Sequence, residues 1–292
     1  MRTKNIIYII TLLFIAITLY VLYIKITKID DPSTHNNPTE TETKTEPEQP
    51  LNISIFLDLS DRLTRNLTPS QMSRDTAIIN NIIDYFKTET LGPQILKSRN
   101  NIKVFFYPAP SHPQIATLAD DLNVDIALQK GKDKRIALEK MKDTFQASLT
   151  QIYSKTIMAQ NWIGCDIWGF FSNKKVDAQC IRKDCRNIIF ILTDGYLFDA
   201  NNKIQNGNAY SYILPQTLNV ANSSLIVKRN GLENLEVCVL EVNPYNPKDH
   251  DKIVSTLEKW FLAMGVKKES LCIAETDLPT NTKTIIKSFL EK

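Results

Sequence analysis

Short apolar runs rich in β-branched residues alternate along this chain with longer segments that repeat apolar residues at helical spacing. The apolar runs predict buried strands at 53–57, 102–107, 188–193, 235–242 and 271–274. The helical repeats predict helices after a Thr68 N-cap, over 133–156, from 167, over 248–264 and over 280–290. Strands that alternate with helices are typical of a parallel sheet. We therefore predict an α/β fold, with a doubly wound, mostly parallel sheet that carries helices on both faces.

The chain begins with an uncharged apolar stretch over residues 6–24, interrupted only by Thr11 and Thr18. About 20 apolar residues span a bilayer core, so residues 1–28 are predicted to be a transmembrane anchor. A cleaved signal peptide is the alternative, but it needs a small-residue cleavage site, and none follows Val21. Positive residues flank both ends of the stretch. Because a short N-terminus usually stays inside, we expect a single-pass protein with a cytoplasmic N-terminus. The remainder then lies in the periplasm or at the cell surface.

Residues 29–50 have a different composition, with several prolines, alternating Thr and Glu, and no aromatic residue. Such a segment buries too little apolar surface to offset the entropy lost on ordering, so it is predicted to be a disordered tether. No second segment of this kind interrupts residues 51–292, which are therefore predicted to form one domain.

The charge and composition exclude several classes of function. The net charge of +3 comes from 35 basic and 32 acidic residues that are intermixed, so nothing indicates binding to nucleic acid. Only three histidines and eight glycines are present, which gives little support for a histidine-based triad or a glycine-rich phosphate loop. The composition rich in Ile, Lys and Asn is typical of AT-rich bacterial genomes, and together with the predicted anchor it leads us to expect a protein of the bacterial cell envelope.

Carboxylates follow two of the predicted strands. Asp58 and Ser60 come after the first strand, Asp194 follows the run at 188–193, and Asp166 lies in a third loop. Because the carboxyl ends of parallel strands share one edge of a sheet, we expect these side chains to converge there. Carboxylates that converge repel one another unless a cation lies among them, and carboxylate and hydroxyl oxygens suit Mg²⁺ or a similar ion. All four residues are therefore predicted metal ligands.

These segments resemble the von Willebrand factor type A (vWA) domain. Its metal-ion-dependent adhesion site combines Asp-x-Ser-x-Ser after the first strand, a Thr from a middle loop and an Asp after the fourth strand. Asp58-Leu59-Ser60 matches the first half of the first motif, residues 164–167 are similar to the middle loop, and Thr193-Asp194-Gly195 is similar to the last element. The resemblance implies a vWA fold for residues 51–292, in which a bound ion receives an acidic side chain from a partner protein.

Two hydroxyl ligands of that family's site are missing here, because Arg62 replaces the second Ser and Cys165 replaces the Thr. One interpretation is that the Arg62 guanidinium bonds Asp58 or Asp194 directly, so that no metal is needed. Arg62 would then receive the partner's carboxylate itself. In the other interpretation Arg62 points away, and the remaining ligands hold an ion together with water.

The resemblance implies a protein-binding module rather than an enzyme. We expect partner contacts at Asp61, Arg62, Cys165, Gly195 and Tyr196. The segment 196–234 follows Asp194 immediately, so we expect it to overhang this edge and to shape specificity. Two alternatives stay open. One is a Mg²⁺-dependent hydrolase of the haloacid-dehalogenase type, whose second Asp is replaced here by Ser60. The other is a purely structural vWA-like subunit of an envelope complex.

The chain has five cysteines, an odd number that leaves at least one free thiol. Cys180 and Cys185 are close enough in sequence to form a disulfide in an oxidising compartment. Cys238 and Cys272 fall in two predicted strands, where they either meet or act as small buried hydrophobic residues.

Overall fold

The computed structural model describes residues 49–92, 94–109, 112–159, 165–197 and 231–292. The predicted membrane anchor, nearly all of the predicted tether and residues 198–230 of the predicted overhanging segment lie outside the described residues. Within the described ranges, no helix is long and apolar enough to cross a membrane.

One six-stranded sheet forms the centre of the domain, with the strand order β3-β2-β1-β4-β5-β6. Five strands run parallel, and β3 pairs antiparallel with β2 at one edge. The strands are β1 (Leu51–Leu57), β2 (Asn101–Phe105), β3 (Asn123–Asp125), β4 (Arg186–Leu192), β5 (Leu235–Val242) and β6 (Leu271–Glu275). The predicted α/β fold with a mostly parallel sheet is therefore confirmed. Sequence analysis missed β3, because three residues at a sheet edge carry too short a pattern to indicate a strand.

Alternate residues of the central strands face two separate apolar cores. Ile188 and Phe190 of β4 belong to one core, and Ile189 and Ile191 belong to the other. The first core is covered by α1 (Gln71–Thr90), α2 (Pro113–Asp120), α3 (Asp133–Ala159) and α7 (Pro279–Leu290). The second is covered by α4 (Ile167–Ser172), α5 (Lys175–Cys180) and α6 (His250–Ala263). Helices therefore pack on both faces, which explains why β4 is apolar from Ile188 to Leu192.

The first helix begins later than its sequence pattern predicts. Ser70, not Thr68, is the N-cap, because the Ser70 hydroxyl accepts a hydrogen bond from the Ser73 N–H and satisfies one of the free donors of the first turn. The five cysteines are free thiols, so the disulfide considered for Cys180 and Cys185 is not formed in this structure.

Truncation of Leu192 tests the central position of β4. Leu192 is fully buried, whereas Leu128 is 77% exposed. We expect Leu192→Ala to lower the free energy of unfolding by about 2–5 kcal/mol, since it leaves a cavity between sheet and helices. The same substitution at Leu128 should change it by less than about 0.5 kcal/mol. Urea unfolding of both variants is the measurement, and equal losses would contradict this fold.

Candidate functional site

The ends of β1 and β4 bring the predicted acids together. Leu57 and Leu192 are paired in register, so the residues that follow them emerge side by side at the carboxyl edge of the sheet. The Thr193 hydroxyl donates to Asp58 Oδ2 at 2.9 Å. The convergence that the sequence predicts for Asp58 and Asp194 is thus present in the structure.

Asp58 is buried, and local hydrogen bonds hold its carboxylate. Its Oδ1 accepts the Ser60 N–H at 2.8 Å, while Oδ2 accepts Thr193. Ser60 also caps a short 3₁₀ helix, Asp61–Thr64, and its hydroxyl accepts the Arg62 N–H at 3.5 Å. Both carboxylate oxygens of Asp58 therefore already accept hydrogen bonds from the protein.

Arg62 points into the interior. Its Nη2 lies 2.7 Å from Asp75 Oδ2, and the two side chains are 1% and 0% exposed. Its Nε donates to the Asp58 carbonyl at 3.0 Å and lies 3.8 Å from the Asp58 carboxylate. Burial disfavours the charge of Arg62, but Asp75 and Asp58 outweigh burial and raise its pKa. The prediction that Arg62 receives a partner's carboxylate does not fit this position, because its guanidinium is enclosed.

Asp75 lies on α1 and has further partners besides Arg62. Gln71 Nε2 donates to Asp75 Oδ1 at 2.9 Å, and the Tyr153 hydroxyl donates to Oδ2. Burial and the charge of Asp75 raise the pKa of Tyr153 well above its usual value, so the phenol stays protonated and remains a donor. These bonds connect the 3₁₀ helix, α1 and α3 through one buried carboxylate.

The partner of Asp194 is Arg65, a residue that sequence analysis did not consider. Arg65 Nη2 lies 3.0 Å from Asp194 Oδ2, and Arg65 Nη1 donates to the Asn243 carbonyl. Burial and the charge of Asp58 raise the pKa of Asp194 to about 7, although Arg65 and Arg62 act to lower it. The carboxyl group that the sequence assigns to a metal therefore bonds a guanidinium.

Tyr245 covers Arg65 on the outer side. The Tyr245 ring centroid lies 3.9 Å from the Arg65 guanidinium carbon, and the side chain is 61% exposed. Its hydroxyl donates to Asp61 Oδ2 at 2.8 Å, and its backbone N–H donates to the Tyr196 hydroxyl at 3.0 Å. Asp61 and Tyr196, both predicted partner contacts, thus lie at the rim around Arg65.

Gly195 does not reach this rim. It is buried with φ +99°, and a Cβ there would lie 2.8 Å from Ile253 Cγ2 and 3.0 Å from Val242 Cγ1. The partner contact at Gly195 stays a prediction, and its burial gives that prediction no support. Glycine is needed because the chain after β4 turns here with a positive φ and passes close to α6, which leaves no room for a side chain.

The middle loop reaches the same edge. The Asp166 N–H donates to the Tyr107 carbonyl at 3.0 Å, and Asp166 Oδ1 accepts the Gly169 N–H at 2.7 Å as the N-cap of α4. Burial and the negative charges of Asp58, Asp194 and Asp166 raise the pKa of the Cys165 thiol well above its usual value, so Cys165 lies within the field of all three acids. Gly164 lies outside the described residues.

A second buried ion pair supports the edge. Arg74 Nε lies 2.8 Å from Glu241 Oε2, which also accepts Gln71 Nε2 at 3.2 Å. The pair connects α1 to β5, where Glu241 has φ +67°. Sequence analysis missed it, although a signal exists. Gln71, Arg74 and Asp75 continue the helical stripe of α1 that buries Ile78.

The sequence predicts a site for a divalent cation, but the described residues are not arranged to coordinate one. Across the described part of the chain, no cluster of three or more His, Cys, Asp or Glu side chains is arranged to hold a metal. Asp194 and Asp58, two of the predicted ligands, instead lie 3.0 Å and 3.8 Å from the guanidinium nitrogens of Arg65 and Arg62. The positive charge that such acids need is already supplied by the protein.

No family model and no curated protein sequence matches the chain. Among solved structures, it is similar to the pilus adhesin SpaC from Lactobacillus rhamnosus GG in its open conformation, with 12% identity over 83% of this chain and a TM-score of 0.43. The chain spans only 30% of the adhesin's length. It is also similar to the conserved hypothetical protein BatB from Bacteroides thetaiotaomicron, with 10% identity over 83% of this chain, all of that chain and a TM-score of 0.38. We draw no functional conclusion from either similarity.

Arg62 and Arg65 pair with different acids, so the same substitution should have different effects at the two positions. Arg62→Met should lower the free energy of unfolding by about 3–5 kcal/mol, because it leaves Asp75 buried and unpaired. Arg65→Met should cost less, since Asp194 can take up a proton. The double variant Arg62→Met/Asp75→Leu should recover part of the loss. Urea unfolding checks all three, and equal effects of the two single substitutions would refute the inward position of Arg62.

The pKa of Asp194 predicts a pH dependence of stability. Its folded pKa of about 7 lies above the ordinary 3.8, so between pH 4 and 7 the folded state keeps a proton that the unfolded state releases. The free energy of unfolding should therefore fall through this group as the pH rises across that window. Asp194→Asn removes the titration, so the stability of this variant relative to the native chain should improve from pH 4 to 7. Urea unfolding at several pH values is the measurement. If the stability of Asp194→Asn relative to the native chain stays constant or falls from pH 4 to 7, the raised pKa is contradicted.

Proposed function

We propose that this chain is a membrane-tethered, vWA-like module that binds an acidic group of a partner protein at the carboxyl edge of its sheet. The observation that carries the proposal is the position of Arg65. Its guanidinium lies between Asp194 and the exposed ring of Tyr245, at the edge where the loops after β1, β4 and β5 meet.

The surroundings of Arg65 favour binding of a carboxylate. The Nε–H of Arg65 is buried and has no acceptor among the described residues, so this guanidinium carries a donor that is left unsatisfied in the free chain. A planar guanidinium can bond both oxygens of an incoming carboxylate. Tyr245 beside it offers an aromatic surface of the kind that is enriched, with arginine, at the centres of protein interfaces. Both types of anchor are therefore present at one rim.

In this proposal the partner binds to an arginine rather than to a metal ion. The support is that Arg65 already bonds Asp194, the acid that would otherwise hold Mg²⁺. The vWA-type strand ends are retained, but their charge is balanced by Arg65 and Arg62. Mg²⁺-dependent binding through Asp58, Ser60, Asp166 and Asp194 is the alternative that the experiment below separates.

We do not assign an enzymatic activity. A hydrolase of the haloacid-dehalogenase type needs a free aspartate nucleophile after the first strand. Asp58 is buried, and both of its oxygens accept hydrogen bonds from Ser60 and Thr193, which argues against that role.

The tether is part of the proposal. Residues 1–28 would anchor the chain with a cytoplasmic N-terminus, residues 29–50 would act as a spacer, and the domain would meet its partner outside the cytoplasm. The support is the apolar run at 6–24 and the proline-rich composition that follows it.

Cross-linking in intact native cells tests this function. A membrane-impermeant cross-linker should join the full chain to a partner protein, and Arg65→Met should reduce the yield about tenfold or more, as loss of a central interface arginine does. Arg182→Met is the matched control, because Arg182 also pairs with an aspartate, Asp125, at 2.8 Å, but beside β3 at the opposite ends of the strands.

The outcomes separate the alternatives. A yield that is unchanged in Arg65→Met would overturn the arginine-based site. A yield that disappears with EDTA and returns with Mg²⁺ would support the metal-dependent alternative. Hydrolysis of a phosphatase substrate with Mg²⁺ that is lost in Asp58→Ala would support the hydrolase instead.

A further inference from the structure

Two cysteines lie opposite each other on neighbouring strands, away from the acidic edge. Cys238 of β5 and Cys272 of β6 are partners in the parallel register. Neighbouring strands are about 4.8 Å apart, which lies within the Cα separation that disulfides span. Both residues contact the first core, so the two side chains lie on the same face of the sheet.

Only one of the two thiols is accessible. Cys238 is fully buried, whereas Cys272 is partly exposed and lines an open groove of about 290 Å³. The rest of the groove is formed by α7 and the residue that ends the chain, and its lining is Thr284, Ile285, Ser288, Phe289 and Lys292. A reagent that enters the groove therefore meets Cys272 first, with Cys238 directly behind it.

The two thiols also differ in acidity. A hydrogen bond from Cys238 lowers the pKa of Cys272 to about 7, with burial acting against it and Lys292 adding a favourable positive charge. Burial and the same hydrogen bond raise the pKa of Cys238 well above its usual value. The accessible sulfur is therefore the better nucleophile, and the buried sulfur holds the proton.

The other cysteines lack this combination. Burial raises the pKa of Cys180 to about 11 and that of Cys165 well above its usual value. Cys185 is partly exposed, but burial raises its pKa as well. Among the five, Cys272 alone combines a lowered pKa with a neighbouring thiol and a groove.

We infer that Cys238 and Cys272 form a thiol–disulfide exchange pair whose substrate is a negatively charged low-molecular-weight disulfide. The site goes beyond the proposed partner binding and uses none of its residues. Lys292, whose Nζ lies 4.9 Å from the centroid of the Phe289 ring, places a positive charge at the groove that attracts an anionic reagent.

The exchange proceeds in two balanced steps. The Cys272 thiolate attacks the small disulfide RS–SR, an S–S bond forms between Cys272 and one sulfur, and the other half leaves as RS⁻. Cys238 then attacks the Cys272 sulfur and gives up its proton to the second leaving group, which departs as RSH. Overall the two cysteines lose two electrons, and the small disulfide is reduced to two thiols. The product is a Cys238–Cys272 disulfide between β5 and β6.

Reaction of the reduced full chain with glutathione disulfide tests the pair. After acid quenching and alkylation, peptide mass spectrometry should find a Cys238–Cys272 disulfide in the native chain. In Cys238→Ala, a mixed disulfide with glutathione should accumulate on Cys272, because no second thiol resolves it. The pH midpoint of its formation should also move upward from about 7, since the hydrogen-bond donor is gone.

Cys185 supplies the internal control for reactivity. At pH 7 Cys272 should react about threefold faster or more, the gain in thiolate outweighing its lower intrinsic nucleophilicity. Lys292→Gln should slow the reaction with glutathione disulfide more than the reaction with the neutral 2-hydroxyethyl disulfide, because Lys292 helps to lower the pKa of Cys272 for both reagents but attracts only the anionic one. Equal rates at Cys272 and Cys185, or an oxidised chain in which Cys238 and Cys272 are not joined, would overturn the inference.

Discussion

The carboxyl edge of the sheet depends on the buried ion pair between Arg62 and Asp75. Their 2.7 Å contact is almost completely removed from water. An unpaired charge in such a buried position is strongly unfavourable. Asp75 compensates by accepting hydrogen bonds from Gln71 and Tyr153 as well. Because Asp75 and Gln71 lie on α1 and Tyr153 lies on α3, the ion pair holds the loop after β1 in a defined position against both helices. That position orients Asp58 at the start of the loop and Arg65 at its end.

Two arginines three residues apart therefore have opposite roles. Arg62 lies inside the 3₁₀ helix and faces the core, whereas Arg65 is the residue that ends this helix, with ψ 137°. The chain turns into an extended conformation there, and the Arg65 side chain leaves the helix toward Asp194 and Tyr245. In the proposed function, the inner arginine holds the loop and the outer one binds the partner.

The dithiol depends on a different property of the sheet. Parallel register, rather than charge, places Cys238 beside Cys272, and α7 then covers one thiol and leaves the other in a groove. Phe190 occupies the same row on β4 and contacts Phe289 of α7, so a continuous apolar layer lies behind the groove. Charge chemistry at the strand ends and thiol chemistry within the sheet therefore use separate parts of one scaffold.

The sequence by itself determined five of the six strands, most helices and the acids at two strand ends, because apolar periodicity depends on local pattern. It also placed Cys238 and Cys272 in strands that turn out to be neighbours. Only the tertiary structure decided which arginine meets which acid. Arg65 and Asp194 are 129 residues apart, and Arg74 and Glu241 are 167 residues apart. No periodicity connects charges over such separations, since their pairing is set by desolvation once helices and strands have packed.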